Sequence, residues 1–303
     1  MKDIQKLVVK NGLPKSHTFI NAHVDKQTIS SILWQEEDII NTDKQLLLYH
    51  DWSTVHFASP WYEIEADPEI NETATQRDIS ILQNVLGEKF QPPSTIIDIH
   101  CGSGRHSIDL AKKGFRVVGM EEVTLPLELA RQHAREERIP VEFVLSNREN
   151  HKNYANTADI VISMFNSLGY TFSREDDQEQ FNWAVNLLKP GGYFVLDIRS
   201  YEYQKKTFSQ PITTKEKLFI DQKEVATMYT TKFWQNNILG AIEKIVRDDE
   251  ILQYTTYGWN TYSPDMLKTM LHKAGANLIA IYEDYYSEPK NLGERIFVVA
   301  KKM

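Results

Sequence analysis

Cysteine is almost absent from this chain: among 303 residues there is one, Cys101. No internal disulfide can form, so stability has to come from a buried core, and the usage points to a reducing compartment. Positive charge is scarce as well. The 34 Lys and Arg face 42 Asp and Glu, a formal charge of −8, which gives a nucleic-acid partner little electrostatic help. No Lys/Arg cluster and no Cys/His finger spacing argues otherwise. Long apolar runs are missing: none approaches the roughly 20 residues a membrane helix needs. The first residues, MKDIQKLVVKNG, lack the apolar centre of a signal peptide. The expectation is a soluble, cytoplasmic protein with no membrane and no nucleic-acid partner.

What is present is a rhythm. From about Asn71, helix-like and strand-like segments alternate. NETATQRDISILQNVLGEKF has helical spacing at Ile79, Leu82, Val85 and Leu86, and STIIDI is a short β-branched run. HSIDLAKKG reads as a helix stopped by Gly114, FRVVGM as a second strand, and PLELARQHAREERI as an amphipathic helix. VEFVLS, ADIVISM and YFVLDI add strands, and REDDQEQFNWAVNLLKPGG reads as a helix closed by its Lys-Pro-Gly-Gly end. After Ser200 the rhythm changes. TKEKLFIDQ, EVATMYTTKFW, LGAIEKIVRD and EILQYTTYGWN are consecutive strands with short polar turns, the mark of an antiparallel sheet. SPDMLKTMLHKAG, capped by Ser263, then returns to helix, followed by ANLIAIYEDYY and RIFVVAKK.

These segments predict an α/β fold. A doubly wound, mostly parallel seven-stranded sheet spans residues 71–303, with an antiparallel β insertion at about 201–261 before the last helix. Residues 1–70 form an N-terminal extension, a lid or an oligomerisation segment. It would either cover a pocket or exchange between two copies as a homodimer.

DIHCGSGRHS, residues 98–107, is a loop between the first strand and the next helix. In doubly wound sheets such a loop meets the ligand. A phosphate-binding P-loop is excluded, because Arg105 follows Gly104 and no Lys-Ser or Lys-Thr is there. A dinucleotide loop fits poorly: Gly102 and Gly104 are present, but Ser107 replaces the third glycine, and Asp98 would repel a pyrophosphate. A cationic, phosphate-free adenosyl cofactor removes that objection, and FRVVGMEE ends in Glu121 and Glu122, either of which can accept from ribose hydroxyls. His100, Cys101 and His106 supply only three possible ligands where a structural zinc site usually takes four, so no metal is expected.

IIDIHCGSGRHSIDLAKKG, VVGMEE, FVLSNRE, ADIVISMFNSLGY and LLKPGGYFVLDI resemble, in order and spacing, the motifs of class I S-adenosylmethionine-dependent methyltransferases. SMFNSLGY and the insertion are most similar to the small-molecule type, such as aminosugar N,N-dimethyltransferases and glycine N-methyltransferases. The resemblance implies a Rossmann-like fold, S-adenosyl-L-methionine as cofactor and S-adenosyl-L-homocysteine as product. It also implies roles. Asp98, His100, Cys101, Gly102 and Gly104 wrap the methionine half, with Glu121 or Glu122 on the ribose. Asn147 and Arg148 meet the adenine, and Met164, Phe165 and Asn166 flank the methionine. Tyr62 resembles a tyrosine that closes over the cofactor, and Arg77 is placed to fork its carboxylate. His100 replaces the family's first glycine, which is acceptable if its φ stays negative.

Methyl transfer asks the protein to align an acceptor with an already activated carbon and to exclude water. Tyr170, His100 and His106 are the candidate catalytic groups for an acceptor that must shed a proton. Tyr170, Arg199, Trp259 and Tyr262 are candidate substrate contacts. The expected reaction is methylation of a small molecule, at an amine nitrogen. The alternatives are an O- or C-methyltransferase of a secondary metabolite, a non-catalytic cofactor-binding protein and an NAD(P)-dependent oxidoreductase. A base-directed nucleic-acid methyltransferase is disfavoured, because MFNSLGY lacks an Asn/Asp-Pro-Pro-aromatic platform.

Overall fold

A computed structural model describes residues 72–146, 152–171, 174–220, 223–235, 238–283 and 294–303. They fall into two compact units, one built from residues 68–205 and 260–303 and the other holding residues 206–259. The expected extension over residues 1–70, Tyr62 included, lies outside the described residues.

The first unit opens with helix α1 (Glu72–Leu86). It continues through β1 (Thr95–Ile99), α2 (Arg105–Lys112), β2 (Arg116–Glu121), α3 (Thr124–Glu137), β3 (Glu142–Leu145), β4 (Ala158–Ser163), α4 (Arg174–Leu187), β5 (Leu188–Arg199) and α5 (Tyr201–Thr207). The strands β6 (Ile212–Ile220), β7 (Lys223–Gln235), β8 (Ile238–Arg247) and β9 (Glu250–Asn260) follow. Then α6 (Pro264–Lys273), β10 (Ala276–Glu283) and β11 (Arg295–Lys302) complete the first unit.

Its seven strands lie in the order β10-β11-β5-β4-β1-β2-β3. β1 pairs in parallel with both β2 and β4, whereas β11 runs antiparallel to β5 and β10. This is the predicted α/β, mostly parallel sheet. The order reverses between β1 and β4, and that is where such sheets open a crevice at the carboxyl ends of their strands. The strands are apolar runs because helices cover both faces. Ile97 and Ile99 pack with α4 and α6 on one face, and Ile96 packs with Val117, Ile160 and residues of α1 on the other.

One boundary differs from the expectation. The helix predicted through Lys189 to Gly192 ends at Leu187, and that Lys-Pro-Gly-Gly segment belongs to β5. Ala158 pairs with Leu188 and Ile160 with Tyr193, so β5 carries extra residues opposite a short advance of β4. Pro190, which has no N–H for a helix bond, and Gly191 at φ +77 make that irregularity. The helix α5 was not anticipated either.

In the second unit β6, β7, β8 and β9 are neighbours in chain order, the four strands expected from the sequence. β6–β7 and β7–β8 are antiparallel, and Leu218, Ala226, Ile245 and Leu252 form a core cluster. Among the described residues no helix is long and apolar enough to cross a membrane, and no His/Cys/Asp/Glu group is arranged to hold a metal ion.

Candidate active site

The chain turns immediately after β1. His100 lies at φ +57, Gly102 at +56 and Gly104 at +80. The condition that residue 100 keep a negative φ is therefore not met: the turn has the conformation glycine favours, and histidine is among the side chains that enter it more readily than most. The His100 ring meets Trp183 edge-on at 5.4 Å, and its buried Nδ1 has no hydrogen-bond partner among the described residues. A buried polar atom of that kind is uncommon and calls for a ligand or water.

The loop is tied to the end of β2. The Cys101 N–H donates to the Met120 carbonyl at 3.0 Å, and the Gly102 N–H donates to Glu121 Oε2 at 2.9 Å. Glu121 Oε1 accepts the N–H groups of Glu122 and Val123, each at 2.9 Å. These bonds use three of a carboxylate's roughly four acceptor positions and leave one for a ribose hydroxyl. Burial raises the pKa of Glu121, against the pull of the Val123 and Gly102 N–H groups and of His100. Glu122 is exposed, so Glu121 is the acid held inside the turn.

Asp98 does not stand at an open mouth, as the sequence suggested. It is 1% exposed and accepts the Ser107 hydroxyl at 2.6 Å. Burial pushes its pKa up to about 7, with Ser107 and Arg105 opposing. Ser107, at the place of the missing third glycine, thus satisfies the acid below the loop. Gly104 caps α2, and a Cβ there would sit 2.8 Å from the Phe143 ring and 2.9 Å from Ala130 Cβ. Cys101 packs with Ile108, Leu127, Ala130 and Phe143, and burial pushes its thiol up. Its side chain anchors the loop.

Across the crevice, Met164 is buried in the core, and Phe165 and Asn166 leave β4 at φ +62 and +57. The Phe165 N–H donates to Asp197 Oδ2 at 2.9 Å, and the Asn166 N–H donates to the Asp197 carbonyl at 2.9 Å. Asn166 Nδ2 donates to the Tyr170 hydroxyl at 3.2 Å, while its Oδ1 accepts the Arg199 N–H at 2.8 Å. The fold therefore brings Asn166, Tyr170 and Arg199 together. The Arg199 guanidinium is already paired with Glu294, which corrects its expected use as a substrate contact.

Several other candidates are reassigned. His106 is 4% exposed, and its Nε2 lies 2.9 Å from Asp78. Burial, then Arg105, lowers its pKa to about 4. It is a neutral strut between α1 and α2, not an accessible base. The Arg77 side chain is 41% exposed and 3.9 Å from Asp78, a solvated position; Arg105 instead reaches Asp78 at 3.0 Å. Tyr262 is 1% exposed and packs edge-on to Phe181, with burial and the charge of Asp177 raising its phenol. It is a core residue, so it cannot be a substrate contact. Trp259 is 2% exposed and stacks on Tyr257 in the second unit. Asn147 and Arg148 lie outside the described residues.

Sequence reasoning missed Asp197, Arg295, Asp78 and Arg105. The first two were visible only as the ends of two strand runs, VLDIRS and RIFVVA.

Comparison with known proteins agrees with this geometry. Residues 96–192 match the family described as a methyltransferase domain. A Geobacillus sp. (strain WCH70) protein named as a methyltransferase is 26% identical over 256 residues, 80% of this chain and 97% of the relative. The ubiquinone biosynthesis O-methyltransferase of Photorhabdus laumondii is 31% identical over 141 residues, 45% of this chain and 55% of the relative. Among solved structures, an S-adenosylmethionine-dependent methyltransferase from Clostridium acetobutylicum ATCC 824 superposes with a TM-score of 0.62 at 19% identity, over 80% of this chain and 95% of that one. CalS10, an amino pentose methyltransferase from Micromonospora echinaspora solved with S-adenosylmethionine bound, gives 0.60 at 15% identity, over 86% of this chain and all of that one. The domain match makes residues 96–192 a methyltransferase domain, and the sheet order is the fold shared with S-adenosylmethionine-dependent methyltransferases of class I architecture.

Proposed function

We propose that this enzyme methylates a small-molecule acceptor at an amine nitrogen. The observation that carries the cofactor part of this reading is the joint between Glu121 and Gly102. A buried carboxylate with one acceptor position left adjoins a turn at positive φ and the unpartnered Nδ1 of His100. These residues fit an adenosyl cofactor: Glu121 would meet the ribose, and residues 100–104 the methionine half. S-adenosylmethionine brings to such a site a methyl group activated by a sulfonium. The rest is positioning. Asn166 and Tyr170, locked to each other at the end of β4, would orient the acceptor, and the loop would exclude water. An amine has to arrive neutral or lose a proton there, and with His106 committed to Asp78 the titratable groups left for that task are His100 and Tyr170.

The fold is also that of KedS8, a sugar N-methyltransferase from Streptoalloteichus sp. (TM-score 0.58, 14% identity), which supports nitrogen as the acceptor atom. A second reading, oxygen, is favoured by the ubiquinone biosynthesis O-methyltransferase relative, which matches over 141 residues. Incubating the protein with methyl-labelled S-adenosylmethionine and a low-molecular-weight metabolite extract separates them. A labelled product that is basic, and a rate that climbs as pH passes the acceptor's pKa, is the expected result. A neutral methyl ether would establish oxygen, and no labelled product at all would leave a cofactor-binding protein without transferase activity.

A further inference from the structure

Two consecutive non-glycine residues leave β4 in left-handed backbone, Phe165 at φ +62 and Asn166 at +57. Such a pair persists only where its surroundings impose it, and it concentrates at functional sites. Here the surroundings are specific. The side chain of Asp197 holds the Phe165 N–H, and its carbonyl holds the Asn166 N–H. Asp197 is 0% exposed and forks onto Arg295, itself 5% exposed, with Nε to Oδ1 at 2.9 Å and Nη2 on Oδ2. The Arg295 guanidinium lies over the Phe165 ring at 4.6 Å, and that of Arg105 lies over the same ring at 5.3 Å. Arg105 directly follows Gly104 of the cofactor loop, so one aromatic ring touches cations from both sides of the crevice.

A buried ion pair is a poor source of stability, because desolvation offsets the attraction, and well-packed apolar residues often do better. Its value here is geometric. We propose that Asp197 and Arg295 are positioning residues for methyl transfer: their ion pair holds the Phe165–Asn166 turn in the shape that sets Asn166 and Tyr170 against the acceptor. This rests on the reading that the end of β4 faces the acceptor. The pair touches neither cofactor nor acceptor; it acts through the turn.

The test compares Asp197→Asn, Arg295→Lys and Arg295→Met with the wild type in three measurements. Calorimetry with S-adenosylhomocysteine reads cofactor affinity, labelled methyl transfer to the acceptor whose product the wild type forms reads kcat and KM, and amide hydrogen exchange reads the turn. Arg295→Met is expected to expose the Phe165 and Asn166 amides to exchange. It should lower kcat on the order of 100-fold, the size of effect a small misplacement produces. Cofactor affinity should fall less than kcat, because the turn flanks only one side of the methionine half while Glu121 and residues 100–104 keep their own places on the cofactor. Arg295→Lys should recover part of the lost turnover. Should a variant of the pair fail to fold, Phe165→Leu, which keeps the pair and removes the clamped ring, is expected to lower kcat in the same direction. Unchanged exchange in folded Arg295→Met overturns the latch, and turnover falling only in step with cofactor affinity overturns the positioning role. A wild type that binds no S-adenosylhomocysteine sinks the methyltransferase reading instead, while the exchange measurement still decides the latch.

Discussion

Ser107 donates its hydroxyl to Asp98 across 2.6 Å, and both residues are closed off from solvent beneath the cofactor loop. Burial holds the folded Asp98 at about 7, against 3.8 for the ordinary group. Between those values the folded protein keeps a proton that the unfolded chain has lost, so this site lowers stability as pH rises through the window. Asp98→Asn keeps an acceptor for Ser107 and removes the titration. We expect the variant to gain on wild type from pH 4 to 7, by up to about 4 kcal/mol above pH 7. Urea unfolding of the cofactor-free protein at pH 5 and pH 8 measures this, and an equal difference at both pH values would contradict it.

Gly104 combines φ +80 with a Cβ position only 2.8 Å from Phe143. Gly104→Ala should cost about 2–4 kcal/mol, from left-handed strain together with overpacking. Gly87, at φ +54 with nothing within 4 Å of its Cβ, is the internal control. Gly87→Ala should cost only the backbone part, about 1–2 kcal/mol. Chemical denaturation of both variants checks whether close approach, and not φ alone, fixes glycine at 104.

Glu121 accepts three backbone N–H groups. In Glu121→Gln one oxygen becomes an NH2 that faces at least one of those donors. The fold should lose about 1–3 kcal/mol. Affinity for S-adenosylhomocysteine should drop at least about tenfold, one hydrogen bond to a charged acceptor. Calorimetry showing unchanged affinity would move the ribose contact away from this residue.

His106 is lowered to about 4 by burial and Arg105, against 6.5 for the ordinary group, although its bond to Asp78 pulls the other way. The unfolded chain therefore takes up a proton between pH 6.5 and 4 that the folded protein refuses, and stability falls as pH drops through that window. The His106 imidazole should show no charge change above about pH 5 when followed by NMR. His106→Gln should leave the neutral limb of the pH–rate profile in place. A limb that disappears in this variant would restore His106 as a base.

Much of the first unit was legible because its signals are local. The β-branched runs around Ile96–Ile99 and Ile160–Ile162 and the amphipathic run of α3 mark the parallel sheet by periodicity alone. The loop at Gly102 and Gly104 and the acid at 121 were legible because a turn at the end of a strand needs particular residue types. The Lys189–Gly192 boundary was misplaced because a Pro-Gly-Gly stretch signals a break without saying on which side the strand begins.

The roles of single polar residues were not legible. Asp98 looked like an open acid until α2 brought Ser107 over it, and His106 looked like a base until α1 brought Asp78 against it. Tyr262 looked like a substrate contact and turned out to be packed behind Gly169.

The sequence by itself determined the alternation of strands and helices, the glycine turn after β1 and the acid that closes it. These follow from spacing and backbone conformation over a few residues. Only the tertiary structure decided which charges are buried and with whom. Asp197 and Arg295 stand 98 residues apart in the chain and meet only because β11 lies antiparallel beside β5. Burial and pairing are properties of that meeting, and no local pattern encodes them.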